Sequence, residues 1–283
     1  MPSGRGDGRT GGEDRGQRAR YRAVSQLQRE VGAVAEVAHF LGGEASGVDG
    51  VRAAVRERAE RDVDVVKVMA SGGELTPGSM PYEPQFTPDE LCALVDEAHR
   101  CGLPVTAHSH AVEGIRNALA AGVDGIEHCV FRTSDGVEPP PELVAALVER
   151  QVVVGFTAGI APSDVPPRPE ILRLIPAFTA LFTRLWREGV RIVVGTDSGI
   201  APVKPHPTLP YGVAHLASHG VPAADALRTC TATAAQVCGL GDRKGRIAPG
   251  YDADVLVVPG DPLADLSVLH HPLAVFARGE RVR

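Results

Sequence analysis

Lys67, His108, His128 and Asp197 are the residues whose types and spacing could do chemistry together. Each sits in or at the end of a short apolar run rich in β-branched residues: "DVVKVMASGG", "LPVTAHSH", "VDGIEHC" and "VRIVVGTDSG". A lysine, two imidazoles and a carboxylate are what a hydrolytic divalent-metal site uses. Every member also has a plainer reading: a capping or core histidine, a turn aspartate ahead of Ser198 and Gly199, or a surface or ion-paired lysine. What favours chemistry is recurrence, because one position in successive units is repeatedly polar. Period-two alternation puts His108 and His110 on one side of their strand and Ser109 on the other. Lys67 is flanked by apolar neighbours, and burying an ammonium without a partner is costly. One escape is a neutral amine, which can add carbon dioxide and become a carbamate able to bridge two metals. No His-x-His pair occurs upstream of Lys67.

The elements that must position these residues alternate strand and helix. A charged helix "VDGVRAAVRERAER" leads into "VDVVKVMA", then a Gly- and Pro-rich loop. Thr87 is placed to cap the helix "PDELCALVDEAHRCG", with Pro88 in its first turn and Gly102 at its end. The strand "LPVTAHSH", helix "AVEGIRNALAAG", strand "VDGIEHC", helix "PPELVAALVERQ" and strand "VVVGF" continue the pattern. A Pro-rich loop, the helix "EILRLIPAFTALFTRLWREG" and the strand "VRIVVGTDSG" complete it. Such alternation predicts parallel βαβ units and a (β/α)8 TIM-barrel type of fold, whose strand ends converge on one mouth. From Val24 to Ala38 the pattern fits either one helix or a helix followed by a short strand near Val37. Residues 244–283 change character, with short alternating strands, Gly/Pro turns and no helix between them, and predict a small β portion.

Five strands are clear and a sixth is expected near Val37, where a full barrel needs eight. The stretch before His39 cannot hold three βα units of roughly 25–35 residues each. The reading therefore expects a barrel incomplete at the N-terminus. It divides the chain into a Gly/Arg-rich disordered leader (1–22), a partial barrel domain (23–243) and the β portion (244–283). The leader holds six Gly and six Arg, a composition that cannot bury enough surface to fold.

Composition excludes several classes. With 43% hydrophobic residues in 283 and a net charge of −6, the chain can build a sizeable core, and nothing in it points to nucleic acid. Five cysteines without CxxC spacing argue against a disulfide framework or thiolate zinc site and for a reducing cytoplasm. No run is long and apolar enough to span a membrane. The one GxGxxG match (Gly6, Gly8, Gly11) follows no predicted strand, and there is no P-loop or nucleophile elbow.

At "KVMASGG", "TAHSH", "GIEHC", "VVGTDSG" and the tail "GRIAPGYDADVLVVPGDPLADL", the chain resembles the metal-dependent amidohydrolase superfamily, in its imidazolonepropionase-like and Xaa-Pro dipeptidase (prolidase-like) branch. The resemblance covers about residues 38–283, and the tail block is its most specific part. It implies a carbamylated Lys67 bridging two metals, His108 and His128 as ligands of one of them, and Asp197 as ligand and general base. His39 and His110 would orient substrate or stabilise an oxyanion. The tail would form the C-terminal part of a composite β-sandwich. The departure is the absent first-strand His-x-His, which binds one of the family's two metals.

The expected activity is hydrolysis of C–N bonds in a small amide, dipeptide or cyclic amide. One or two divalent ions, Zn²⁺ by preference, would serve as cofactor. The alternative is an inactive fragment or pseudoenzyme. A homo-oligomer is compatible with either reading.

Overall fold

The computed structural model describes residues 25–27, 43–73, 79–164, 166–199 and 204–283. His39, the residues near Val37 and the leader lie outside them. Six parallel strands form one sheet in sequential order: β1 Ser25–Leu27, β2 Val66–Met69, β3 Val105–Ala111, β4 Gly125–Arg132, β5 Val153–Phe156 and β6 Ile192–Val194. The intervening helices are α1 Gly47–Glu60, α2 Pro88–Arg100, α3 Val112–Ala121, α4 Pro141–Glu149 and α5 Pro169–Arg187. This is the winding of a (β/α) barrel. β1, beside β2, falls within the stretch whose pattern fits a helix, while the strand expected near Val37 lies outside the described residues.

The capping signals act where the sequence places them. Thr87 and Glu90 form a reciprocal capping box at the start of α2: the Glu90 backbone N–H donates to Thr87 Oγ1 at 3.3 Å, and the Thr87 backbone N–H donates to Glu90 Oε2 at 2.8 Å. Gly122 closes α3 in the left-handed conformation, at φ +84°.

The two faces of the sheet differ. Val66, Val68, Val105, Ala107, Ile126, Val154, Ile192 and Val194 face the helix layer, and none is more than 4% exposed. Lys67, Thr106, Glu127, Val153 and Val193 occupy the alternate positions and are only half-buried. The core thus lies between sheet and helices, as parallel βα units require. On the half-buried face, Thr106 Oγ1 donates to Glu127 Oε1 at 3.1 Å. A β-carbon at Gly155 would lie 1.8 Å from Glu127 Oε2, so the carboxylate occupies space that only a glycine leaves open.

After β6 come α6 Leu209–Ser218, α7 Ala223–Cys230 and α8 Ala232–Val237. The sequence pattern does not announce α6, because Pro210 and Gly212 interrupt it. Gly159 is required: a β-carbon there would sit 2.7 Å from the Gly212 backbone nitrogen, so the chain passes close against the backbone of α6. The tail forms a separate antiparallel sheet of β7 Val255–Val257, β8 Ala274–Ala277 and β9 Glu280–Arg281. All five cysteines are free. No described helix is long and apolar enough to cross a membrane.

Candidate metal centre

β3 delivers His108 and His110 by simple alternation. Their rings lie 4.6 Å apart between centroids, and each residue is 8% exposed. Ser109, between them, points the other way: its hydroxyl packs where a β-carbon on Gly114 of α3 would be. The His110 backbone N–H donates to Ser71 Oγ at 2.8 Å, which fixes the end of the strand.

His128 does not arrive by alternation. In register it pairs with Ser109, so a regular strand would turn it towards the helices. Instead its φ is +69°, with Cys129 and Phe131 at +50°. Four residues of β4 are used between the pairings Ser109–His128 and Ala111–Arg132, against two of β3. This bulge re-aims the imidazole onto the inner face. There its ring lies 4.5 Å from that of His108 and 4.5 Å from that of His110. Left-handed backbone at non-glycine residues is costly and collects at functional sites.

One ligand nitrogen from each of the three histidines lies within 4.8 Å of the others. His108 Nε2 and His110 Nδ1 are buried without hydrogen-bond partners. His128 Nδ1 is engaged at 2.8 Å by Thr157 Oγ1, the kind of outer contact that orients a ligand ring. Burial, reinforced by the Lys67 charge and opposed by a hydrogen bond to the Gly72 backbone, pushes the His108 imidazole down to about 3. Burial and the neighbouring His108 hold His110 and His128 well below the ordinary histidine range as well. Three neutral imidazoles with unused nitrogens are a donor set for a divalent ion. Zn²⁺ binds such nitrogens at about 2.0–2.1 Å.

Lys67 stands on the same inner face, close enough for its charge to act on His108 and His128. Asp197 follows β6 with φ +50°, and its charge reaches His110. Its carboxylate is 33% exposed and accepts a hydrogen bond from Lys204 Nζ at 3.2 Å. Lys204 also donates to the Thr157 carbonyl at 2.7 Å. The strand ends thus assemble Lys67, His108, His128 and Asp197 in one region, and His110, expected on the substrate side, stands within the imidazole cluster itself. Three neighbours went unread in the sequence: Thr157, Lys204 and Arg132. Arg132, four places past His128 in "HCVFR", had the only visible signal; Lys204 sits in a loop with none.

The sheet, its winding and this site define a β/α-barrel hydrolase-type scaffold. The amidohydrolase family profile matches residues 17–282, and the chain belongs to that family. It is 32% identical over 235 residues to ochratoxinase of Aspergillus niger, covering 82% of this chain and 48% of that protein. Against imidazolonepropionase of Cereibacter sphaeroides it is 29% identical over 202 residues, 68% of this chain and 45% of the other. The crystal structure of a Xaa-Pro dipeptidase with bound methionine in the active site superposes with a TM-score of 0.74 at 30% identity. That match covers 85% of this chain and 60% of the dipeptidase. The chain spans about half the length of the curated relatives it matches.

Proposed function

We propose that this protein is a metal-dependent hydrolase of amide bonds in small molecules such as dipeptides, N-acyl amino acids or cyclic amides. The observation that carries the reading is the convergence of three imidazoles, two of them buried, from β3 and β4, in a chain of the amidohydrolase family. Ochratoxinase and the Xaa-Pro dipeptidase among its relatives support it.

His108, His110 and His128 would hold an ion, with a carbamate on Lys67 and the Asp197 carboxylate as further donors. A divalent ion supplies Lewis acidity, polarising a carbonyl and making water acidic near neutral pH. Thr157 keeps the His128 ring in place. Asp197 accepts the proton of the attacking water and delivers it to the leaving nitrogen, with Lys204 holding the carboxylate in position. His39 would contact substrate.

Elemental analysis of the purified chain, with hydrolysis assays on dipeptide and N-acyl amino acid panels, tests the reading. Bound divalent metal is expected, with hydrolysis restored after chelation by Zn²⁺ and bicarbonate. Protein that takes up no divalent ion and cleaves none of the panel would overturn it.

A further inference from the structure

The chain leaving β6 brings a cation back to the end of that strand. Gly199, at φ +108°, donates its backbone N–H to the Lys204 carbonyl at 2.9 Å. The Lys204 side chain is only 13% exposed, and protein groups take the place of water at its ammonium. Nζ donates to the Thr157 carbonyl at 2.7 Å and to Asp197 Oδ2 at 3.2 Å. Thr157 also meets His128 Nδ1 through its hydroxyl. Lys204 thus ties the residue after β5 to the carboxylate after β6, one contact away from an imidazole of the cluster.

Two observations say what this ammonium does to a metal site. Among the described residues, His108, His110 and His128 are the one set of three or more donors close enough to share an ion. Asp197 is not in that set; its carboxylate is bonded to a protein cation instead. The second observation is electrostatic. Asp197 and Lys204 act on His110 with opposite signs, so an ion among the imidazoles faces a compensated pair. A second divalent ion seated on Asp197 would instead face the ammonium at close range. Like charges a few ångström apart in a half-buried site repel strongly. Lys204 would relieve that repulsion only by giving up both of its partners, which leaves a charge with little water unpaired.

We infer that Lys204 is the built-in cation of Asp197 and confines the site to a single divalent ion, held by the imidazole cluster. In this role Lys204 is a positioning residue: it fixes one carboxylate oxygen of Asp197 and leaves the other to the ion or to water. The inference rests on the metal-hydrolase reading and adds the number of ions and the reason for it.

Titration of the full chain with Zn²⁺ tests it, after chelation and preincubation with bicarbonate, followed by calorimetry and by elemental analysis of gel-filtered protein. The unsubstituted chain is expected to take one ion, with any second ion bound at least about 100-fold more weakly. Lys204→Met is expected to tighten the second ion at least about tenfold, and Asp197→Asn in that background to reverse the gain. Lys204→Arg, which keeps the charge, is expected to stay at one ion. Two ions of comparable affinity in the unsubstituted chain would overturn the inference, whether or not Lys204→Met folds. So would a Lys204→Met chain whose second ion binds no more tightly than before. The outcomes separate the two readings. One ion, with the gain in Lys204→Met, in a chain that hydrolyses nothing leaves the role of Lys204 standing and sinks the hydrolase. Two ions of comparable affinity in a chain that cleaves amides do the reverse, and a chain that takes up no ion overturns both.

Discussion

His128 is the residue on which the site turns, and its backbone does as much as its ring. At φ +69° the side chain faces His108 and His110 although its partner in register, Ser109, faces α3. Removing the ring therefore has two separable effects. His128→Ala would keep the left-handed strain without the imidazole, whereas His128→Gly would relieve it. The glycine variant is expected to be more stable than the alanine variant by about 1 kcal/mol, measured by urea unfolding, while both lose metal affinity alike. Alternation alone would have turned this histidine away from the site. The sequence showed that His128 recurs at the position of His108, but not the bulge that lets it act, because no local residue pattern in "GIEHCVFR" demands left-handed backbone.

At the scale of elements, what could be read depended on whether a signal was local. The start of α2 is written in Thr87, Pro88 and Glu90, and the capping box forms from those residues. Thr87→Ala is expected to cost about 1 kcal/mol, read as a lowered midpoint in chemical denaturation. The five clear strands likewise follow from their Val/Ile runs. α6 was missed because Pro210 and Gly212 break its pattern, and what fits it in place is tertiary: the chain at Gly159 passes close against its backbone, which only a glycine at 159 allows. Asp197 was legible as a strand-end carboxylate. Lys204, which holds it, was not, because the partnership joins β6 to an irregular loop.

For the molecule as a whole, burial without pairing sets the response to acid. His219, at the C-terminal end of α6, is 5% exposed, packed against Phe156, Phe182 and His215, and its carbonyl accepts from Thr183. Burial lowers its pKa from the ordinary 6.5, opposed by its hydrogen bond to the His215 carbonyl and reinforced by the His215 ring. Below pH 6.5 the unfolded chain therefore takes up a proton that the folded chain refuses, and stability falls as pH falls. The melting temperature is expected to decline from that pH downwards, and less steeply in His219→Asn, which keeps a donor near the position of Nδ1. Parallel slopes for the two proteins would show that His219 plays no part in the decline.

The bulge in β4 has a consequence for insertions and deletions. Because the two faces of a strand alternate, losing a single codon between His128 and Arg132 would be felt as a change of frame along the rest of the strand. Arg132 would leave its pairing with Ala111 and turn to the opposite face of the sheet, and its ion pair with Glu170 would be lost. A shortened β4 is thus a route by which one event moves several side chains of the strand at once, where a single replacement alters only one.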